Sequence, residues 1–211
     1  SFLYKTINET KVIENDTTGE RIEVSFYKMP FYTYVADSSR LSDNEYNDTS
    51  RIVRWQQKTV LPNKMNVWET YLSDKGSSRM LHVKSFLKDG MVFTIQTLRD
   101  TLTKPSAFIN RFYQTFQPDT TLKGFDIMAT KSDYFFSDLQ SADSVAHKRA
   151  KKYISSIVLD STDFSRLKNA IVQINWKEKN YLDTKSALIK RLASIKTAAS
   201  SNYLYDLYFA A

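Results

Sequence analysis

The sequence predicts an α+β fold, with an antiparallel sheet and flanking helix over about residues 1–117 followed by an all-α helical array. Apolar residues recur at every second position in the first half and at three- and four-residue spacing in the second. The period changes across 118–132 (PDTTLKGFDIMATKS), a stretch rich in turn formers. The domains expected are therefore residues 1–117, a linker over 118–132, and antiparallel helices over 133–211 that begin a longer helical repeat.

Each element has its own signal. Ile22 to Phe26 alternates strictly after a turn at Asp16–Gly19, and Pro30 interrupts before Phe31–Val35, which reads as two short edge-like strands. Residues 36–50 form a polar loop rich in turn formers. Val53 and Trp55 open another extended stretch, and Met65–Leu72 is rich in β-formers. From Arg79 to Leu87, Leu81, Val83, Ser85 and Leu87 alternate with Met80, His82, Lys84 and Phe86. Asp89-Gly90 then supplies a turn needing positive φ and Met91–Leu98 resumes the pattern, so a β-hairpin is expected. Pro105 suits the first position of a helix whose aromatic face is Phe108, Ile109, Phe112, Tyr113 and Phe116, and Pro118 ends it.

Beyond the linker, Ser141 or Asp143 caps a helix with Ala146, Ala150, Tyr153, Ile154 and Ile157 as its buried stripe. Asp160 or Ser161 caps the next, which carries Phe164, Leu167, Ile171 and Ile174. A third carries Leu182, Leu188, Ile189, Leu192 and Ile195, and a fourth begins near Ser200. Short connections imply antiparallel neighbours, as in a bundle or the first units of an α-solenoid.

Composition excludes several function classes. Without cysteine there is no disulfide framework, thiolate metal site or Cys nucleophile. Gly19, Gly76, Gly90 and Gly124 lie too far apart for a phosphate-cradling loop, which needs clustered glycines for close backbone approach. His82 and His147 are too few and too distant for a histidine-rich metal centre, so neither a metal nor another cofactor is expected. No stretch approaches the roughly 18 consecutive apolar residues of a membrane span. The net charge of +7 is uneven: residues 1–120 carry 16 Lys+Arg against 14 Asp+Glu, and residues 121–211 carry 14 against 9. Nucleic acid is disfavoured as a partner because the aromatics follow buried periodicities instead of interleaving with basic rows.

The remaining candidates are few. Tyr27, Phe31, Tyr32 and Tyr34 form an aromatic-rich edge suited to a protein partner, although a sheet buried on both faces shows the same composition. Lys148, Arg149, Lys151 and Lys152 form a basic cluster that could bind an anion, or could be a solvated helix face. Asp133 with Asp138, or Asp160 with Asp163, could be a carboxylate pair, but Asp at a helix start usually serves as a cap. Asp37, Asp43, Glu45 and Asp48 lack the spacing of a calcium loop. His82 and His147 read as a strand-face and a helix-surface histidine, and no strained serine elbow accompanies them.

The strand Arg79–Leu87, its Asp-Gly turn, the following strand and the helix Phe108–Phe116 resemble the closing half of PsbP-like domains, which are antiparallel sheets flanked by helices. In layout the resemblance extends over residues 1–117, and it carries no functional motif. A Cys-free chain rich in Tyr, Asn and Thr, with a helical extension, also resembles uncharacterised envelope proteins of Gram-negative bacteria. The resemblance implies a noncatalytic, extracytoplasmic module. The start at Ser1-Phe2-Leu3-Tyr4 and the apolar, helix-forming end Leu204–Ala211 suggest a piece of a longer envelope protein.

The function expected is a noncatalytic binding or scaffold module that presents a surface to a protein partner. Two alternatives are a carboxylate-dependent hydrolase with its site between the two halves, and an anionic-ligand or nucleic-acid binder acting through residues 148–152.

Overall fold

The computed structural model describes residues 7–36, 50–119, 121–177 and 179–210. The polar-loop expectation and its acids Asp37, Asp43, Glu45 and Asp48 lie outside the described residues, apart from the loop's ends at Ala36 and Ser50. The fold is α+β, and the chain forms two compact units that divide between Asp126 and Ile127, with Tyr32–Tyr34 belonging to the second.

The first unit holds strands β1 (Ile7–Glu14), β2 (Arg21–Lys28), β3 (Arg51–Val60), β4 (Asn66–Asp74), β5 (Arg79–Lys88) and β6 (Met91–Asp100). They form one antiparallel sheet in the order β1-β2-β6-β5-β4-β3. The β5–β6 hairpin turns through Asp89 (φ +50°) and Gly90 (φ +70°), the pair of positive φ values for which Asp-Gly is selected. Helix α1 (Ala107–Thr115) lies on one face of the sheet. Its Ile109 and Tyr113 join Ile22, Met65, Val67, Phe86 and Ile95 in a buried core, with Phe108, Phe112 and Phe116 packed around it.

Three expectations for this half are overturned, and one strand carries no sequence signal. Strand β1 has no apolar face, because seven of its eight residues are exposed, and so it leaves no period to read. Strand β2 is an interior strand between β1 and β6, not an edge. Residues 31–35 form no strand: Phe31 packs edge-on against Phe125 at 5.4 Å, while Tyr32 enters the core of the second unit. Pro105 stands before the helix cap instead of at its first turn, since Ser106 is the N-cap and its hydroxyl accepts from the Ile109 N–H at 3.2 Å.

The second unit is helical: α2 (Ser132–Leu139), α3 (Ser144–Tyr153), a 3-10 turn (Ser161–Asp163) running into α4 (Phe164–Gln173), α5 (Tyr181–Ile195) and α6 (Ala198–Phe209). Asp143 caps α3 through the Val145 N–H. Asp160 and Asp163 make a capping box at the 3-10 turn. The first helix, α2, has no side-chain cap at Lys131 and is legible only through its buried Phe135, Phe136 and Leu139. The inner stripe of α5 is Thr184, Leu188, Leu192 and Ile195, so Leu182, 76% exposed, is not part of it. Thr197 caps α6 three residues before Ser200, whose hydroxyl accepts in return from the Thr197 N–H. Among the described residues, no helix is long and apolar enough to cross a membrane.

Candidate functional site

Strand register brings the polar side chains of the central sheet into rows. Across one face, Trp55, Tyr71, His82 and Thr97 are aligned, then Gln57, Glu69, Lys84 and Ile95, then Thr59, Val67, Phe86 and Phe93. This is the face on which α1 packs. On the side toward β3, a groove of about 550 Å³ lies between the end of α1 and the β3–β4 turn. Met65, Val67 and Phe86 give it an apolar floor, and Gln57, Asn63, Gln114 and Gln117 supply amides around it.

Glu69 and Lys84 are the charged groups of the groove. The Glu69 carboxylate accepts from His82 Nε2 at 2.7 Å and stands 3.7 Å from Lys84 Nζ. Lys84 also donates to the Tyr113 carbonyl at 3.3 Å, satisfying an acceptor in the last turn of α1. The Tyr113 hydroxyl donates to the His82 carbonyl at 2.7 Å, which pins the helix to the sheet. The His82 ring is stacked on Tyr113 at 3.9 Å and edge-on to Tyr71 at 4.4 Å.

These surroundings set the protonation states. Burial pushes the His82 imidazole below its ordinary value, and the opposing pull of Glu69 does not overcome it. Its buried Nδ1 has no hydrogen-bond partner among the described residues, which agrees with a neutral ring carrying its proton on Nε2. The hydrogen bond from His82 and the charge of Lys84 hold Glu69 below the usual carboxylate range. The groove therefore contains an ion pair that is already balanced, beside apolar surface.

The residues singled out in the sequence fall elsewhere. Tyr27 is 37% exposed on β2, Phe31 and Tyr32 are buried, and Tyr34 is half-buried, so the four do not form one exposed edge. The Tyr32 hydroxyl donates to Asp138, and its ring packs against Phe135 and Tyr153. Within the basic cluster, Arg149 is drawn inward onto Asp138 at 2.6 Å, and Lys152 lies 5.8 Å from the Tyr153 ring centre. Lys148 and Lys151 share an open groove of about 540 Å³ with His147 and Lys179. The positive surface is thus not the contiguous 148–152 row.

The aspartates have structural partners. Asp133 pairs with Arg166 at 2.6 Å, Asp138 takes Arg149 and Tyr32, Asp160 is a cap, and Asp163 is buried in the capping box with Arg166 at 3.4 Å. His147 bonds through Nδ1 to the Leu139 carbonyl at 2.7 Å. Among the described residues, no group of three or more His, Asp or Glu side chains could hold a metal ion.

The sequence pattern does not by itself mark Glu69, Lys84 or Tyr113 as site residues. The signal lies in the turn: a four-residue connection over Lys75–Ser78, between Met65–Leu72 and Arg79–Leu87, sets Glu69 opposite Lys84 and Tyr71 opposite His82. No family model matches the chain, and no curated protein matches it.

Proposed function

We propose that this protein is a noncatalytic binding module, and that the groove between α1 and β3–β4 receives an extended segment of a protein partner. The groove itself carries the reading: an apolar floor edged by side-chain amides suits an apolar side chain flanked by polypeptide backbone. Glu69 argues for recognition over proton transfer. A general base works best with a pKa near the operating pH, whereas this carboxylate is held low and already accepts from His82. The aspartates that would serve a hydrolase are engaged as caps and ion-pair partners.

Gln114 is an exposed α1 residue lining the groove, so Gln114→Trp fills the groove without entering the core. Peptides selected from a displayed random library on the native protein are expected to lose binding to Gln114→Trp, with the melting temperature unchanged. Selected peptides that bind both proteins equally would reject the groove as the site.

A further inference from the structure

We infer that the partner segment is acidic and extended, and that it docks by pairing its backbone with the open edge of β3 as a further strand of the sheet. This inference rests on the binding-module reading and specifies the partner's chemistry. Strand β3 ends the strand order, so one of its edges has no neighbour among the described strands. Nine of its ten residues are exposed, including Trp55 at 40% and Val60 at 60%. Such an edge presents alternating N–H and C=O groups ready to accept another strand. Gln57 and Thr59 of β3 also line the groove, so a strand laid along this edge runs beside it.

Charge selects the occupant. Strand β3 carries Arg51, Arg54 and Lys58 and no acid. Arg51 pairs with the half-buried Asp74 at 3.8 Å, whereas Arg54 donates to the neutral Ser73 hydroxyl and Lys58 lies over the Trp68 ring, so neither Arg54 nor Lys58 is paired with an acid among the described residues. A second copy of β3 would bring like charges together. The opposite edge, β1, does not complement it either: Glu9 is offset by Lys11 on the same strand, and Glu14 pairs with Arg21 at 3.2 Å. The bulge between Val53 and Trp55 interrupts the register at one end, which leaves Trp55–Val60 as the regular stretch for pairing.

The test uses the whole chain and a synthetic peptide as long as β3 that alternates Glu and Val, a Lys–Val counterpart, and two copies of the Glu–Val peptide N-methylated at alternate positions in opposite phase. The Glu–Val peptide is expected to bind, to slow amide exchange over Trp55–Val60, and to bind the Lys58→Glu protein roughly fivefold more weakly. Methylation in one phase removes the donors facing β3 and is expected to cost about tenfold or more in affinity, while the other phase binds like the parent. Equal binding by the Lys–Val peptide, undiminished binding by both methylated copies, or unchanged exchange in β3 would each overturn the inference. So would concentration-dependent self-association that Lys58→Glu alters, since it would make a second copy the occupant. If the Glu–Val peptide fails to bind while library peptides still depend on Gln114, the edge inference falls and the groove reading stands.

Discussion

His82 shows how a polar side chain is made permanent in a sheet. Its ring is held between Tyr71 and Tyr113, one nitrogen is committed to Glu69, and the other meets no partner among the described residues. Because burial lowers its pKa, the unfolded chain binds a proton below about pH 6.5 that the folded chain refuses, and stability falls as the pH drops through that range. Glu69 acts in the same direction at lower pH. Its depressed native pKa contributes stability that is present above roughly pH 4.3 and lost as the pH falls through the native value. Urea unfolding between pH 7 and 5 should therefore show declining stability in the native protein and a flatter dependence in His82→Gln. The same slope in both proteins would mean that His82 is not held neutral by the fold.

Among the elements, legibility followed burial on one side. The β5–β6 hairpin could be read because its turn needs two positive φ values and both strands alternate between two defined faces. Strand β1 could not be read, since exposure on both sides erases the period, and α2 was hidden by its length and missing side-chain cap. Phe31 and Tyr32 misled for a different reason: adjacent aromatics looked like one strand but serve different cores. The groove was only partly legible, because Lys84 and Phe86 sit on a readable strand while its walls depend on where α1 comes to rest. Another contact invisible in the pattern involves Gly124, where an added Cβ would stand 1.9 Å from the Asp89 carbonyl oxygen. The next residue, Phe125, donates its N–H to that same oxygen at 2.8 Å. Gly124→Ala should cost about 1–3 kcal/mol in chemical unfolding through forced backbone displacement, and should disturb this hydrogen bond. Gly76→Ala provides the comparison, because its positive φ brings strain while its surroundings are open. Equal stability of Gly124→Ala and the native protein would show that the segment can move away from the turn freely.

For the whole molecule, the division into units does not coincide with one cut in the chain. The helical unit takes Tyr32–Tyr34 from far upstream, and Tyr32 is 2% exposed against Phe135 and Tyr153. A fragment beginning at Ile127 therefore lacks part of its own core. It should melt at a lower temperature than the helical transition of the intact chain, and a peptide covering residues 28–36 should raise that temperature. A fragment as stable alone as in the full chain would show that the Tyr32 contact contributes little. The sheet carries a related consequence for the order of assembly. Every neighbouring pair of strands is consecutive in sequence except β2 and β6. The β3–β6 meander and the β1–β2 hairpin can each zip from their own turns, whereas joining them closes a long loop and carries a greater entropic cost. Folding would thus make two separate β pieces first and weld them last along β2–β6, a seam that also brings Ile22 beneath α1.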